Sequence, residues 1–509
     1  MKYVDPKQYD FSRLNEEQLK VAVKDETIFD TKFETKPVGY FKDAWIRFTK
    51  NKGSVAAAII LMILVSFAVF GPLFSPWKTN DNNTLYQYRL PKIREASNGF
   101  WDGTKMKTEP EKTYIFDKTH GAVLGEAKKA RYDEETGTQY YTYRFDTYIR
   151  GYIFDDFSPE EYDAVVKYQN ETGTQILYPL LDTSYATTRE LMPGGDPDDP
   201  DDYIERTNMG LIIQHNNANN FYKLDKNYNP ILDANGEVIP IYLTDTSGNY
   251  VYYEKNSSNY EVRIDYDQYY IMLNGKAPMY YFGSDNMGRD IFTRLCHGAR
   301  LSLLLGVGVS LINIVLGVIY GAIEGYYGGK ADLIMERISD ILVEIPSLIL
   351  LTLFQIYFAS KWGPVPALLL AFVLTGWIGT ASRVRMQFYR YKNQEYVLAA
   401  RVLGAKDRRI IFRHILPNAV GTLITSCILM IPSVIFSEST LSFLNIVDLE
   451  TGSMTSIGTM LAAGQDVLTT YPHVIMFPAI FISILMITFN LFGNGLRDAF
   501  NPSLRGVEE

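Results

Sequence analysis

A carboxylate inside an apolar run is the residue whose chemical type and position stand out first in this sequence. Glu438 lies about 17 residues into the run 420–443, which places it ~26 Å along a helix. Ionisable side chains at such depth typically either line a pore or gate that meets polar solutes or pack through hydrogen bonds near the outer interface. Both interpretations remain open from the sequence.

A second candidate site is the acidic run 196–202, where five aspartates alternate with Pro197 and Pro200. An EF-hand calcium loop needs a glycine at its sixth position and a glutamate at its twelfth, and this run has neither. The run therefore favours a solvated acidic loop over a calcium site.

Catalytic and metal motifs are missing elsewhere in the sequence. The segment GYYGGKAD (325–332) lacks both the first glycine and the Ser/Thr after Lys330 that a phosphate-binding loop needs. The five histidines form no ligand pattern, and Cys296 and Cys427 show no metal or disulfide spacing. We expect no enzyme activity, no metal and no cofactor in this chain.

The distribution of charged residues divides the chain into an acidic polar block and a more apolar remainder. Residues 76–282 contain 21 Lys+Arg and 33 Asp+Glu, a net charge of −12, whereas the rest of the chain has a net charge of +3. The remainder contains six apolar runs of about the length that crosses a bilayer: 53–75, 301–323, 333–359, 366–380 with its flanks, 420–443 and 472–492. The third is interrupted early by Arg337, Asp340 and Glu344, which either project beyond the bilayer or face protein.

Basic residues near these runs predict the orientation. The segment 383–413 holds nine Lys+Arg against two acids and is expected in the cytoplasm. With six spans, both termini then lie in the cytoplasm and residues 76–282 lie outside. Arg289, Arg294 and Arg300 fall on the outside as exceptions, after a long loop where charge has little topological force.

The N-terminal tail, residues 1–52, is too long for a signal-peptide n-region, which predicts an uncleaved anchor. Phe41, Ala44, Trp45 and Phe48 recur at helical spacing in it. That pattern predicts an amphipathic helix on the inner membrane surface, with a plain water-facing extension of the first span as the alternative.

The stretch 395–417, EYVLAARVLGAKDRRIIFRHILP, is short, basic and helical in pattern between two apolar runs. Ala399, Ala400, Leu403 and Ile410 fall close to one helical stripe, and Gly404 interrupts the pattern where a helix can turn. Pro417 suits the first turn of a next helix, from residue 420 onward. We predict two short helices at an angle, with basic residues facing water: Arg401, Lys406, Arg408, Arg409 and Arg413.

This stretch resembles the EAA loop of the integral-membrane subunits of bacterial ABC importers. The match lies at Ala399, Ala400, Gly404, Leu416 and Pro417. The signature's leading Glu is replaced by Leu398, with the nearest acid at Glu395, and its later Ile is replaced by His414. The segments 283–306 and 489–505 agree with the peptide/nickel branch of that family, specifically its second, C-type permease.

The resemblance implies an all-α polytopic permease of six transmembrane helices, with spans two to six in residues 283–505. It implies that two separate ATP-binding cassette subunits bind the ATP and grip the loop at Glu395, Ala399, Ala400, Gly404, Arg408, His414, Leu416 and Pro417. A sister permease, an extracytoplasmic substrate-binding protein and the lipid bilayer are the other expected partners, and no nucleic acid is expected. Oligopeptides are the expected solute, with Glu438 on the translocation path; dipeptides and nickel are alternatives. Glycines 306, 308, 317 and 321 are expected to allow close helix contacts.

The block 76–282 has no counterpart in the resemblance. It carries 26 of the 37 tyrosines, and strand-like runs occur at 140–154, 238–243, 249–255 and 261–273, with Asn235-Gly236 and Ser247-Gly248 as candidate turns. We predict a β-rich domain whose tyrosines either form a docking surface or serve as ordinary core residues. A membrane receptor that displays this domain is the alternative to a permease, and the loop 395–417 argues against it.

Overall fold

The computed structural model describes residues 40–93, 100–119, 121–134, 137–181, 186–191, 203–207, 231–236, 241–450, 452 and 454–500. The statements below concern this part of the chain. The predictions for the acidic run 196–202 and for residues 1–39, 238–240 and 501–509 lie outside it.

Helices make up most of the described chain. In chain order they are α1 (Tyr40–Lys50), α2 (Lys52–Phe70), α3 (Glu111–Thr119), α4 (Pro159–Thr172), α5 (Tyr266–Asn274), α6 (Ile291–Tyr327), α7 (Gly329–Val343), α8 (Ser347–Trp362), α9 (Pro364–Gly376), α10 (Ile378–Tyr391), α11 (Glu395–Val402), α12 (Asp407–Arg409), α13 (Leu416–Phe443), α14 (Ile457–Gln465) and α15 (His473–Phe500). A π-helical turn, Ile410–Ile415, joins α12 to α13.

Four helical stretches are long and apolar enough to cross a bilayer: Lys52–Phe74, Ile291–Tyr327, Pro364–Tyr391 and His473–Phe500. The pair α7 and α8 makes a fifth if it counts as one span, and the apolar section Ile428–Phe443 of α13 is shorter. The structure is thus that of a polytopic membrane protein, while the count of six crossings stays a prediction.

The third predicted span, 333–359, is wrong as a continuous helix. α7 ends at Val343, α8 begins at Ser347, and the two helices meet at 74°. Pro346 supplies no N–H and disfavours helical backbone at the residue before it, which accounts for the break. Arg337 and Asp340 form an exposed ion pair of 3.3 Å on α7, before the bend.

Glycines on α6 let α10 approach closely. A Cβ at Gly321 would overlap the carbonyl oxygen of Ala381, and one at Gly317 would lie 2.6 Å from Cβ of Thr380. Gly306 packs in the same way against Ile435 of α13. Gly308 faces open space, so the predicted close contact there is wrong.

The described part of residues 76–282 contains both strands and helices. The strands are β1 (Thr104–Pro110), β2 (Val123–Asp133), β3 (Thr138–Asp146), β4 (Tyr152–Phe157), β5 (Leu177–Tyr178), β6 (Ala186–Leu191), β7 (Tyr203–Thr207), β8 (Tyr253–Asn256) and β9 (Asn259–Asp265). They form antiparallel sheets in the orders β1-β3-β2, β4-β9-β5 with β8 beside β9, and β6-β7.

Only the first part of the predicted strand run 261–273 forms a strand. β9 ends at Asp265, whose side chain accepts hydrogen bonds from the backbone N–H groups of Asp267 and Gln268 and so starts α5. Gly275 ends that helix in the left-handed conformation, at φ 71°. At the other candidate turns, Gly236 and Gly248 both have positive φ, and Thr244 bridges Tyr250 around Ser247-Gly248.

Several tyrosines of this block are core residues. One apolar cluster contains Tyr86, Tyr148, Tyr270 and Tyr280, each no more than 6% exposed, with Trp77 packed beside it. Burial raises the pKa of Tyr86, and its hydroxyl donates to Asp267 at 3.2 Å. Other tyrosines, such as Tyr132 at 61% exposure, face water. Burial in a core therefore accounts for some of the tyrosines of this block, and the others are exposed.

The block is packed on the membrane helices through aromatic rings. Tyr88 stacks on Tyr471, the residue two before α15, at 4.5 Å between ring centroids. Phe282 stacks on Phe477 at 4.1 Å. Lys105 of β1 lies 5.8 Å from the ring of Tyr471. The block therefore contacts the membrane helices at the start of α15.

The three basic residues predicted as exceptions on the outside all have polar partners in the structure. Arg289 and Arg294 are buried and both pair with Asp285 and Glu450. Arg300 donates to the carbonyl oxygens of Ala68 and Val69 at the end of the first span. All three residues therefore make contacts that hold the structure together, whichever side of the membrane they occupy.

Asp290 starts α6 by accepting a hydrogen bond from the backbone N–H of Thr293 at 3.0 Å, and it accepts another from the hydroxyl of Ser75 at 3.1 Å. Burial raises the pKa of Asp290 to about 6. Asp290 therefore links the end of the first apolar run, at Ser75, to the start of α6.

The helix predicted in the N-terminal tail is present as α1. Ala44 and Phe48 are buried, and Phe48 packs edge-on against Phe492 of α15 at 5.6 Å. Phe41 and Trp45 are 63% and 65% exposed. The exposed aromatic face is the one that an interfacial helix lays into lipid headgroups.

The coupling loop as candidate functional site

We call residues 395–417 the coupling loop. Its helix α11 is held on the protein by one buried residue, Val397, which belongs to a cluster with Phe388, Ile410, Ile415 and Ala419. The cluster also contains Ala322 and Tyr326 and so joins α6, α10, α11 and the start of α13. The loop is therefore packed on three long helices.

The turn of the loop lies at Gly404, which has φ +79°. The N–H groups of Gly404 and Ala405 bond back to the carbonyl oxygens of Arg401 and Ala400, at 3.0 Å each. This is the helix end that the sequence predicted. A Cβ at Gly404 meets nothing within 4 Å, so the glycine is required for its backbone conformation and not for close packing.

The residues predicted to share one stripe of the loop differ in burial. Ile410 is buried, but Leu403 is 87% exposed and Ala399 is exposed as well. With 3.6 residues per turn, Val397 turns inward and the residues after it turn outward. Sequence reasoning missed Val397 as the anchor and Val402 as part of the outer face.

The outer face of the loop is apolar. Val402 and Leu403 are each 87% exposed, Phe412 is 54% exposed and Leu398 is 44% exposed. The predicted basic residues Arg401, Lys406, Arg408, Arg409 and Arg413 are all exposed as well. Exposed apolar side chains together with exposed arginines are typical of a protein–protein interface.

The remaining predicted loop residues are placed as follows. Glu395 and Arg408 are exposed, and Ala400 and His414 are half-buried. Leu416 begins α13, so the helix starts earlier than the predicted residue 420, with Pro417 in its first turn. The second short helix is continuous with the membrane helix, because the π-helical turn keeps the backbone bonded through this stretch.

Glu438 lies apart from the coupling loop, near the other end of α13. Its side chain is fully buried and accepts hydrogen bonds from the hydroxyls of Ser302 at 2.9 Å, Ser442 at 3.2 Å and Ser439 at 3.3 Å. These contacts match the packing interpretation. A role on the translocation path stays a prediction.

In the described residues, one group of carboxylates is close enough to hold a metal ion: Glu324, Asp332 and Glu336. Arg385 pairs with all three, at 3.6 Å for Glu324 and 2.6 Å for Asp332. The guanidinium occupies the position that a cation would take, so we assign the group as an ion-pair cluster.

Two family models match the chain. Residues 313–506 match "Binding-protein-dependent transport system inner membrane component", and residues 39–91 match "N-terminal TM domain of oligopeptide transport permease C". The coupling loop lies inside the first match. Neither match includes residues 92–312.

Curated relatives are permeases. The chain is 42% identical to "Oligopeptide transport system permease protein OppC" of Bacillus subtilis (strain 168) over 245 residues, which is 48% of this chain and 79% of that protein. It is 42% identical to "Dipeptide transport system permease protein DppC" of the same organism, over 44% of this chain and 69% of that protein. Escherichia coli (strain K12) OppC is 37% identical over 44% of this chain and 73% of that protein.

A solved MetNI methionine ABC transporter chain aligns with 41% of this chain and 96% of its own length, at 15% identity and a TM-score of 0.35. The family matches and the coverage of the OppC relative carry the assignment. The family consists of membrane components of transport systems and not of enzymes. This chain belongs to the family of binding-protein-dependent transport system inner membrane components.

Proposed function

We propose that this chain is the C-type permease of an importer for oligopeptides or dipeptides. The observation that carries the proposal is the 42% identity to permeases named for these two solute classes, over 79% and 69% of their lengths. The chain forms half of a translocation path with a homologous sister permease, and two separate ATP-binding cassette subunits supply the energy.

The coupling loop is the surface that the ATPase subunit grips. Its exposed apolar residues, Val402 and Leu403, fill a pocket of the ATPase subunit, and its exposed basic residues set the orientation of that subunit on the loop. ATP-driven closure of the two ATPase subunits then swings the membrane helices as rigid bodies between outward and inward openings.

In the membrane, the chain crosses six times, with α7 and α8 as one bent crossing and α13 as another. Both termini and the coupling loop lie in the cytoplasm. The basic composition of 383–413 supports this orientation. Residues 76–282 then lie outside, seated on the start of α15.

The insertion, residues 76–282, contacts the substrate-binding protein or the sister permease outside the membrane. Its net charge of −12 supports a basic partner surface, because opposite charge speeds encounter. The stacked contacts of Tyr88 and Phe282 support a domain held in one orientation above the helices.

Uptake of labelled peptides tests the solute class. A strain that lacks this gene should lose uptake of tri- to pentapeptides or of dipeptides, and the intact gene should restore it. Nickel uptake measured in the same strain is the control. Normal peptide uptake in the deletion strain, with its other peptide importers removed, contradicts the proposal.

Substitutions on the coupling loop test the ATPase contact. Val402→Asp and Leu403→Asp should each abolish co-purification of the ATPase subunits, because an interface centre tolerates no unpaired charge. Leu444→Asp, at the opposite end of α13 and 56% exposed, is the matched control and should leave co-purification unchanged. Full co-purification of both loop variants contradicts the contact.

A further inference from the structure

The inner end of α6 is bonded to the coupling loop through one side chain, Tyr326. Its hydroxyl donates to Asp407 Oδ1 at 2.6 Å and accepts from the guanidinium of Arg401 at 3.4 Å. The same guanidinium lies 5.8 Å from the tyrosine ring. Tyr326 is 8% exposed, although it is the second-last residue of the helix.

These two partners stand on either side of the Gly404 turn. Arg401 belongs to α11 and Asp407 opens α12, so the hydroxyl of Tyr326 clamps both arms of the turn to α6. The apolar cluster around Val397 also contains Ala322 and Tyr326 of α6, so packing holds the loop against that helix as well. A directional hydrogen bond fixes the register of the loop against α6.

From Tyr326 the contacts continue to α10. The neighbouring Gly325 packs on α10, where its Cβ would lie 2.7 Å from Cβ of Phe388. Its carbonyl oxygen accepts from Lys392 Nζ at 2.9 Å. The Lys392 ammonium also lies 4.1 Å from the ring centroid of Tyr389. The end of α6 is therefore locked to α10 by a charge-assisted hydrogen bond.

From α10 the contacts reach α7. Arg385 donates to both oxygens of Asp332, at 2.6 Å and 3.0 Å, and the hydroxyl of Tyr389 donates to the same carboxylate at 2.6 Å. Arg385 also pairs with Glu324 of α6 and Glu336 of α7. One guanidinium thus joins three helices, and α7 is the helix that precedes the 74° bend.

We propose that Tyr326 is a positioning residue that transmits movement of the coupling loop to α6, and that Lys392 and Arg385 pass it on to α10 and α7. The proposal rests on the proposed function of the loop as the ATPase contact. Movement of the loop then pulls the inner end of α6 by a bonded connection, and the bent pair α7 and α8 follows because Arg385 holds α7 to the same unit.

The test uses the complete importer, with its ATPase subunits and sister permease, in proteoliposomes. Tyr326→Phe keeps the ring and removes the hydroxyl, and Tyr327→Phe is the matched control because Tyr327 is 58% exposed. We expect Tyr326→Phe to keep the ATPase subunits and basal ATP hydrolysis and to lower peptide transported per ATP by roughly tenfold, the factor that loss of a hydrogen bond to a charged group produces. Tyr327→Phe should transport normally.

A second variant separates transmission from folding. Asp407→Ala removes the acceptor of the same hydrogen bond. The double variant Tyr326→Phe/Asp407→Ala should therefore transport peptide as well as whichever single variant transports less, because both substitutions remove one contact. Normal transport by Tyr326→Phe overturns the proposal. So does a fall in melting temperature or in bound ATPase that matches the loss of transport, since that shows a structural role.

The variants of the coupling loop separate an error in the proposed ATPase contact from an error in the proposed role of Tyr326. If the coupling loop does not contact the ATPase, Val402→Asp and Leu403→Asp leave the complex intact. If only the transmission is wrong, those two variants still release the ATPase while Tyr326→Phe transports normally.

Discussion

At the scale of single residues, the coupling loop depends on backbone conformation at one glycine. Gly404 has φ +79° and open space around it. An added side chain there would meet no neighbour, so its cost arises from the left-handed backbone alone. Packing against the alanines is thus not the reason for this glycine.

Gly404→Ala should therefore weaken coupling through backbone strain of about 1–2 kcal/mol. We expect reduced stimulation of ATP hydrolysis by substrate-loaded binding protein, with unchanged insertion into the membrane. Gly308→Ala is the control, because Gly308 is helical and also faces open space. Equal stimulation in the two variants would refute the strain argument.

Glu438 provides a second prediction at this scale. Glu438→Ala leaves the hydroxyls of Ser302, Ser439 and Ser442 without their acceptor in a buried site, which costs about 1–3 kcal/mol. We expect a lower melting temperature of the purified protein and a parallel loss of transport. Ser433→Ala, an exposed position on the same helix, should change neither. Transport lost at an unchanged melting temperature would instead favour a path residue.

At the scale of elements, the contact between α6 and α10 is made by small residues. Gly317, Gly321 and Gly325 are spaced four residues apart and face α10 together. Such spacing lets two helices approach without side chains between them, as is common in lipid. The pair carries Tyr326 and Arg385 in the half nearer the coupling loop, so its geometry sets the position of the hydrogen-bonded network.

Gly321→Ala should disturb this contact, because the new methyl group meets the backbone of Ala381 rather than a movable side chain. Overpacking of this kind costs about 1–3 kcal/mol. The expected result is a lower melting temperature in detergent than for Gly308→Ala, which adds the same methyl group to the same helix in open space. Equal melting temperatures would show that the helices move apart at no cost.

At the scale of the whole molecule, an acidic block is seated on a membrane-spanning part. The two parts are joined by stacked rings: Tyr88 lies on Tyr471 at 4.5 Å and Phe282 on Phe477 at 4.1 Å between ring centroids. Aromatic pairs of this kind stabilise a contact beyond the area that they bury, so the block is held against the membrane helices. The block is thus more than an appendage on a flexible linker.

Protease protection checks the orientation of this assembly. Protease added outside intact cells, with any wall removed, should cut within 76–282 and leave the segment 383–415 intact. The cut is expected near 193–202, a segment rich in Pro, Gly and Asp. Permeabilised cells are the control, in which 383–415 should also be cut. External cleavage of 383–415 in intact cells would reverse the orientation.

The sequence alone determined the class of the molecule and the place of its candidate site. Apolar runs of membrane length are a local property, and so are the glycine and proline that end and start helices around the coupling loop. The family signature at Ala399, Ala400 and Gly404 is local too, and the comparisons confirmed the family that it indicated.

Tertiary structure alone decided which side chains face outward and which pairs meet. Val397 and Leu403 are both apolar, and only the position of α10 and α13 makes one an anchor and leaves the other exposed. Asp332 and Arg385 are 53 residues apart, and Tyr326 and Asp407 are 81 apart. No local pattern encodes such pairs, because they depend on how whole helices pack.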